Sequence, residues 1–236
     1  MATIYSKRFA KKFSEGILAD ELGYKPVILK VIGNVKGKIV LDLGCGNGKY
    51  SIILAKRGAN VIAIDKSKHQ IEIAKKRNSH HKIKYSVVDG ANLSEIKNES
   101  IDVIFMNFII PDIEGKRKLI KIFSETMRVL KPNGRLIFST IHPLYLSPDQ
   151  DPYDRPTDFK KKNYFKEGYI YKSRAITTKG KKIVFDETHF SLAFLSKVLK
   201  RSGFIIEQIF ESKQVPKLGM YLPKCIIFKA IKHIVH

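Results

Sequence analysis

Acidic residues and cysteine are scarce in this chain, and no apolar run is long. Asp and Glu number 22 against 44 Lys and Arg, which leaves a formal net charge of +22 over 236 residues. So basic a chain either meets an anionic partner such as nucleic acid or carries a Lys-rich bias over its whole surface. The lysines are spread along the sequence, not confined to one block, which favours the second reading while leaving RNA as a candidate partner. The two cysteines, Cys45 and Cys225, are far apart and are expected to be free thiols of a reducing cytoplasm. With no clustered Cys/His spacing, no metal site is expected. No apolar stretch approaches the roughly 18 to 20 residues that cross a bilayer, so no membrane partner is expected. The segment Met1–Arg8 lacks the apolar stretch of a signal peptide, and the expected location is cytoplasmic.

Against these absences stands one dense segment, Ile39-Val-Leu-Asp-Leu-Gly-Cys-Gly-Asn-Gly48. Val40, Leu41 and Leu43 make a buried strand, and glycines at 44, 46 and 48 let the backbone turn with no Cβ in the way. The spacing differs from the dinucleotide pattern G-x-G-x-x-G. Asp42 also puts a carboxylate where a diphosphate would be repelled, so the loop suits a ligand with positive charge and hydroxyls.

Downstream, strand and helix patterns alternate, which predicts a parallel sheet. A helix is expected over 49–57 and a strand over 60–65. Ser67 caps a helix to Arg77, buried through Ile71 and Ala74. Strands follow over 82–89 and 101–108. The next helix, over 114–130, is expected to bury Leu119, Ile120, Phe123, Met127 and Leu130. Lys131-Pro-Asn-Gly134 reads as a turn before a strand over 135–140. Regularity lapses from 141 to about 185. A helix over 190–202 and strands over 204–210 and 224–230 close the chain, and 1–36 reads as one or two amphipathic helices.

These elements resemble a class I S-adenosylmethionine-dependent methyltransferase of the small-molecule type. The likeness rests on Asp42-Leu-Gly-Cys-Gly-Asn-Gly48, on the strand-end acid Asp65, on Val88-Asp89-Gly90-Ala91 and on Arg128-Val-Leu-Lys-Pro-Asn-Gly-Arg-Leu136. It covers 35–140 closely and 187–232 more loosely. It implies a single Rossmann-like α/β domain whose seven-stranded, mostly parallel sheet carries helices on both faces. Its parts are an N-terminal helical cap (1–36), a cofactor-binding core (37–140), a substrate lid (141–186) and a C-terminal helix with closing strands (187–236). The implied cofactor is S-adenosylmethionine. Gly44, Gly46 and Gly48 would let the backbone approach its methionine part, with Cys45 among the cofactor-binding residues, and Asp42 would hold its ammonium directly or through water. Asp65, with Lys66 beside it, would accept from the ribose hydroxyls, and Asp89 from the adenine amino group with Gly90 and Ala91 completing that contact. Asn107 would face the sulfonium and the acceptor. In each case the alternative is an acid or amide that merely caps a loop or helix.

Methyl transfer asks for alignment, and for a base only when the acceptor must lose a proton. His142, in Ile141-His-Pro143, and Tyr145 are the candidate catalytic residues. Each could equally serve the turn before and after Pro143. His189 is expected to pack or cap at the start of the penultimate helix, and His80-His81 to be a solvated loop pair. The segment 159–182 holds nine Lys or Arg against Glu167 alone, with Phe159, Tyr164, Phe165, Tyr169 and Tyr171 interleaved. Such a mixture can stack on and neutralise RNA. The alternation in Tyr169–Ile176 followed by Lys181–Asp186 favours a hairpin lid with its aromatic side on the core and lysines in water. Tyr5, Phe9, Phe13 and Tyr24 are candidate cap residues lining the pocket.

Three acceptor classes are set aside. The Asn/Asp-Pro-Pro-aromatic pattern of enzymes that methylate base amino groups is replaced by Asn107-Phe-Ile-Ile-Pro111. The paired glutamates of arginine methyltransferases reduce to Glu114, and the acids of metal-dependent catechol-type enzymes to Asp112 with Glu114. The expected activity is methyl transfer to an O or N nucleophile of a small metabolite. The alternatives are a transfer-RNA methyltransferase and a cofactor-binding partner protein without activity. The acceptor and the oligomeric state are left open by the sequence.

Overall fold

The computed structural model describes residues 11, 15–17, 20–146, 158–214 and 222–232. The expected cap residues Tyr5, Phe9 and Phe13 lie outside them. The chain builds strands β1 (Ile39–Leu43), β2 (Asn60–Asp65), β3 (Ile83–Val87), β4 (Ile101–Met106) and β5 (Leu130–Ile141). An antiparallel pair follows, β6 (Tyr169–Ile176) and β7 (Lys182–His189), and then β8 (Phe204–Glu211) and β9 (Cys225–Lys232). The main sheet has seven strands in the order β3-β2-β1-β4-β5-β9-β8. The first five run parallel to one another; β9 pairs antiparallel with both β5 and β8. This is the expected Rossmann-like, mostly parallel sheet. The strand order reverses between β1 and β4, the place where an open α/β sheet leaves a crevice beyond its strand ends.

Alternation along each strand sends side chains to two separate cores. Leu41 and Leu43 of β1 join Ile104, Met106, Leu136 and Phe138 on one face. That face is covered by α4 (Lys116–Val129) and α5 (Leu192–Arg201). Val40, Val61, Val103 and Phe105 point the other way. They meet α1 (Lys25–Ile32), α2 (Lys49–Lys56) and α3 (Lys68–Arg77). Ser67 caps α3 as expected, its hydroxyl accepting from the Gln70 N–H, and Ile71 and Ala74 are buried. Asp20–Tyr24 forms a short π-helical turn before α1. No helix among the described residues is long and apolar enough to cross a membrane.

The structure departs from the sequence reading at four places. In α4 the buried residues are Leu119, Ile122, Phe123, Thr126 and Val129, while Ile120 is 47% exposed. The apolar residues alone set the expected face about one position off, because Thr126 pairs its hydroxyl with the Phe123 carbonyl and is buried without cost. Lys131-Pro-Asn-Gly134 does turn, with Asn133 at φ 59°, but as a bulge inside β5: Ile101 pairs with Leu130 and Val103 with Arg135. Strand β3 stops at Val87, two residues before Asp89. Strand β7 continues through His189, past the lid boundary expected at 186. There the His189 ring packs 5.1 Å from Phe159 and its Nε2 lies 2.6 Å from the Tyr164 carbonyl. His80 and His81 stack at 4.4 Å on the loop before β3.

Phe123 locks α4 to the sheet. Its ring stands edge-on to Phe138 at 5.5 Å and to Phe204 at 6.5 Å, and Phe138 stacks on its β9 partner Phe228 at 4.7 Å. Truncation to alanine removes a fully buried ring from a packed layer. Phe123→Ala is expected to lower stability by about 3–5 kcal/mol, read as a lower urea midpoint at unchanged m-value.

Candidate active site

The glycine loop leaves β1 through three residues at positive φ, Gly44 at 75°, Gly46 at 54° and Gly48 at 76°. A Cβ on Gly44 would meet Ile109 side-chain atoms at 3.0–3.3 Å, and one on Gly48 would run into Tyr85 and Ala74. At Gly46 nothing lies within 4 Å, so there the bare backbone faces open space. That space is a cavity of about 220 Å³ at the carboxyl ends of the central strands.

Of the residues expected at a cofactor site, Gly44, Cys45, Gly46, Asp65, Lys66, Asp89, Gly90 and Asn107 line this cavity. Asp65 ends β2 and accepts two backbone hydrogen bonds, from the Gly46 N–H at 2.9 Å and the Ser67 N–H at 2.8 Å. One carboxylate thus ties the loop to the start of α3. Burial pushes its pKa up, against those two bonds and the charge of Lys66. Asp89 accepts from Ala91 N–H at 3.0 Å and from Lys118 Nζ at 2.7 Å. Burial opposes its charge, but the Lys118 bond and the Ala91 N–H outweigh burial and hold the carboxyl below its ordinary value. Ala91 itself is not among the lining residues and serves through that N–H. Cys45 is buried beside the acids, which pushes its thiol pKa up, first by burial and then by Asp42 and Asp65. It is a poor nucleophile in that state.

Asn107 follows β4 and is held firmly. Its Oδ1 accepts from the Tyr24 hydroxyl and from Ser139 Oγ, the latter at 3.2 Å. Tyr24 is buried and packs edge-on to Phe108 at 5.0 Å, so the described end of the N-terminal segment reaches the site through this hydroxyl. Phe108 has φ 52°, a strained value for a side chain of its size, and its N–H is fixed by Ser139 Oγ at 3.0 Å.

Asp42 and His142 stand elsewhere than expected. Asp42 shares the parity of Val40 and so faces α2, beneath the loop and outside the cavity lining. It is 1% exposed and accepts from Ser51 Oγ at 2.5 Å, and burial pushes its pKa up to about 7. Here it braces the strand to the helix. His142 is also buried and outside the lining. Its Nδ1 accepts from the Leu144 N–H at 3.1 Å and its Nε2 lies 2.9 Å from Glu211 Oε1. One ring nitrogen is committed to the turn and the other to Glu211 on β8, which leaves none for an acceptor. Tyr145 does line the cavity, with Lys224 Nζ 5.9 Å from its ring centre.

The β6–β7 hairpin forms as the alternation led us to expect, but the residues it brings to the cavity were not singled out in the sequence. Tyr171, Ser173 and Ala175 of β6 face inward beside Glu187, Phe185 and Ile183, their partners on β7. Ser173, Ala175, Phe185 and Glu187 line the cavity. Ser173 Oγ donates to Glu187, which is only 8% exposed. The inward parity of β6 was legible in the alternation, but the pairing that sets Glu187 beside Tyr171 was not. Asp112, in the 3-10 turn Ile110–Asp112 after β4, lines the cavity opposite.

A seven-stranded sheet of this order, with a glycine loop after β1 and acids closing β2 and following β3, defines a class I methyltransferase fold. The comparisons agree. Residues 34–183 match the methyltransferase domain family. A protein of Haemophilus influenzae described only as uncharacterized is 28% identical over 86% of this chain and 81% of its own. A ubiquinone biosynthesis O-methyltransferase of Coxiella burnetii is 35% identical over 122 residues, half of each chain. The crystal structure of a Listeria monocytogenes protein, described as a putative S-adenosylmethionine-dependent methyltransferase, superimposes with a TM-score of 0.70 at 22% identity, over 89% of this chain and 96% of that one. The chain belongs to the methyltransferase domain family, and its fold is that of the class I methyltransferases.

The raised pKa of Asp42 has a sign that can be tested. Between pH 4 and 7 the native state keeps a proton that the unfolded chain has released, so this group makes the protein lose stability as pH rises across that window. Asp42→Asn lacks the effect. The stability of the variant relative to the parent is expected to increase from pH 4 to pH 7 in paired urea titrations.

Proposed function

We propose that this enzyme transfers the methyl group of S-adenosylmethionine to an O or N nucleophile of a small metabolite. The observation that carries the proposal is the hairpin over the cavity: the Gly44–Gly46 loop and Asp65 line one side, and the inward side of the β6–β7 hairpin lines the other. A covered cavity of this kind suits a small acceptor better than a polymer.

The residues present fit the cofactor. Gly46 offers backbone with open space where a Cβ would stand, and Asp65 retains acceptor capacity beyond the two N–H groups it holds. In this reading Asp65 takes the ribose hydroxyls, Asp89 and Gly90 border the adenine, and Gly44 and Gly46 border the methionine part. The cofactor supplies a methyl group already activated on a sulfonium. The chain supplies alignment: Asn107, fixed by Tyr24 and Ser139, holds the wall between cofactor and acceptor. The hairpin then excludes water. The buried, free thiols of Cys45 and Cys225 accord with a cytoplasmic setting.

A second reading, RNA as acceptor, is favoured by one surface feature. Phe165 is 78% exposed beside the exposed Lys160, Lys161 and Lys166, next to the hairpin. Phosphate contacts there would make RNA affinity fall steeply with salt. A labelled-cofactor screen of total RNA against a metabolite extract separates the two acceptors. For the donor, Asp65→Ala is expected to weaken S-adenosylmethionine binding by about 1.5–3 kcal/mol, the worth of hydrogen bonds to a charged group. Calorimetry that finds the affinity unchanged would remove the assignment of Asp65 to the ribose.

A further inference from the structure

Two acids that line the cavity, Asp112 and Glu187, have no part in the donor contacts proposed above. Asp112 lies in the turn after β4, four residues beyond Phe108, on a segment that packs against β7. It is half-buried, and its carboxyl takes no hydrogen bond from any described residue, so its oxygens are left to the cavity. Glu187 faces it from β7 and is in the opposite condition: buried, and holding the Ser173 hydroxyl with Tyr171 alongside. One carboxylate is therefore fixed by the lid and the other is open to whatever enters.

We propose that Asp112 is the group that receives the proton of the methyl acceptor, and that Glu187 is a positioning residue that faces it from the lid. This rests on the methyltransferase reading above and narrows its acceptor to a protic nucleophile, a hydroxyl or an ammonium that must be deprotonated before it attacks. The proton passes to an Asp112 carboxylate oxygen while the bonding pair stays on the acceptor O or N. That pair forms the bond to the methyl carbon, and the carbon–sulfur pair returns to sulfur, turning a cationic sulfonium into a neutral thioether. Charge and atoms balance with no further reactant.

The surroundings of Asp112 suit the task. Burial, then the charge of Glu187, pushes its pKa up to about 7, with Asp65 adding to the rise and Lys66 opposing it. A carboxylate with that affinity is a base near neutrality and not a spectator. Because its pKa is raised, the basic form is populated above pH 7 and lost below, so transfer is expected to fall on the acid side of that value.

Infrared spectra of protein labelled with carboxyl-13C aspartate decide the matter without turnover. The band missing in Asp112→Asn is the Asp112 carbonyl; in the parent it is expected to disappear with a midpoint near 7, and in Glu187→Gln at a lower pH. Methyl transfer from labelled cofactor into a metabolite extract is expected to drop about 100-fold or more in Asp112→Asn and to recover in part in Asp112→Glu. S-Adenosylhomocysteine affinity in Asp112→Asn should stay within about threefold of the parent, which also shows that the variant folds. A midpoint near the ordinary 3.8, or transfer by Asp112→Asn within about threefold of the parent, overturns the proposal. Absence of S-adenosylhomocysteine binding by the parent itself would instead overturn the functional reading beneath it.

Discussion

The Asp65 carboxylate holds the site together. It ends β2, takes the Gly46 N–H from the loop after β1, and takes the Ser67 N–H from the cap of α3. A loop of three residues at positive φ gains little from its own contacts, since glycine gives up more backbone freedom than any other residue on folding. An acid on the neighbouring strand offsets that entropy by fixing the loop from outside. The parallel pairing of β1 with β2 makes this possible, because it sets Leu43 level with Ile64 and brings both carboxyl ends to one rim. The Gly44 and Cys45 N–H groups then donate to the Ile64 carbonyl at 2.8 and 2.9 Å. Strand register, loop shape and the position of the acid are one constraint expressed three times.

How far the sequence could be read follows from the range of each cause. The cap of α3 by Ser67, the strand over Asn60–Asp65 and the inward parity of β6 are local, and local pattern predicted them. The burial of Thr126 in place of Ile120 depends on a hydroxyl finding a carbonyl one turn back, which hydrophobicity alone does not register. Asp42 was legible in principle: it shares the parity of Val40, and a strand covered on both faces sends that parity to α2 and not to the rim. His142 was not legible, because Glu211 lies 69 residues away on another strand. The same holds for Asp112 and Glu187, which only the return of the β6–β7 hairpin over the sheet brings together. The residues proposed for the donor were written in short motifs, and those proposed for the acceptor are brought together only by long-range pairing.

This asymmetry has a physical origin. The residues proposed for the donor come from the ends of adjacent strands within a short stretch of chain, from Gly44 to Gly90. The acceptor proposed above would meet side chains that converge from distant segments, the turn after β4, the hairpin, and Lys224 at the foot of β9. Those segments can vary without disturbing the sheet, since they lie beyond its carboxyl edge.

The net charge of +22 belongs to the surface and not to the site. Five acids and four lysines line the cavity, so it is close to neutral inside a chain that carries twice as many bases as acids. Beyond roughly 8 Å in physiological salt the surface charges are screened, and within the cavity the near groups decide. In the proposed reading a cationic sulfonium would find its binding free energy set by Asp65 and the loop, not by the lysines outside. The surface field acts on encounter instead, drawing anions toward the molecule and raising their local concentration. A basic composition thus bears on what approaches this enzyme, while inside the cavity the two carboxylates under the lid are among the groups that any bound molecule meets.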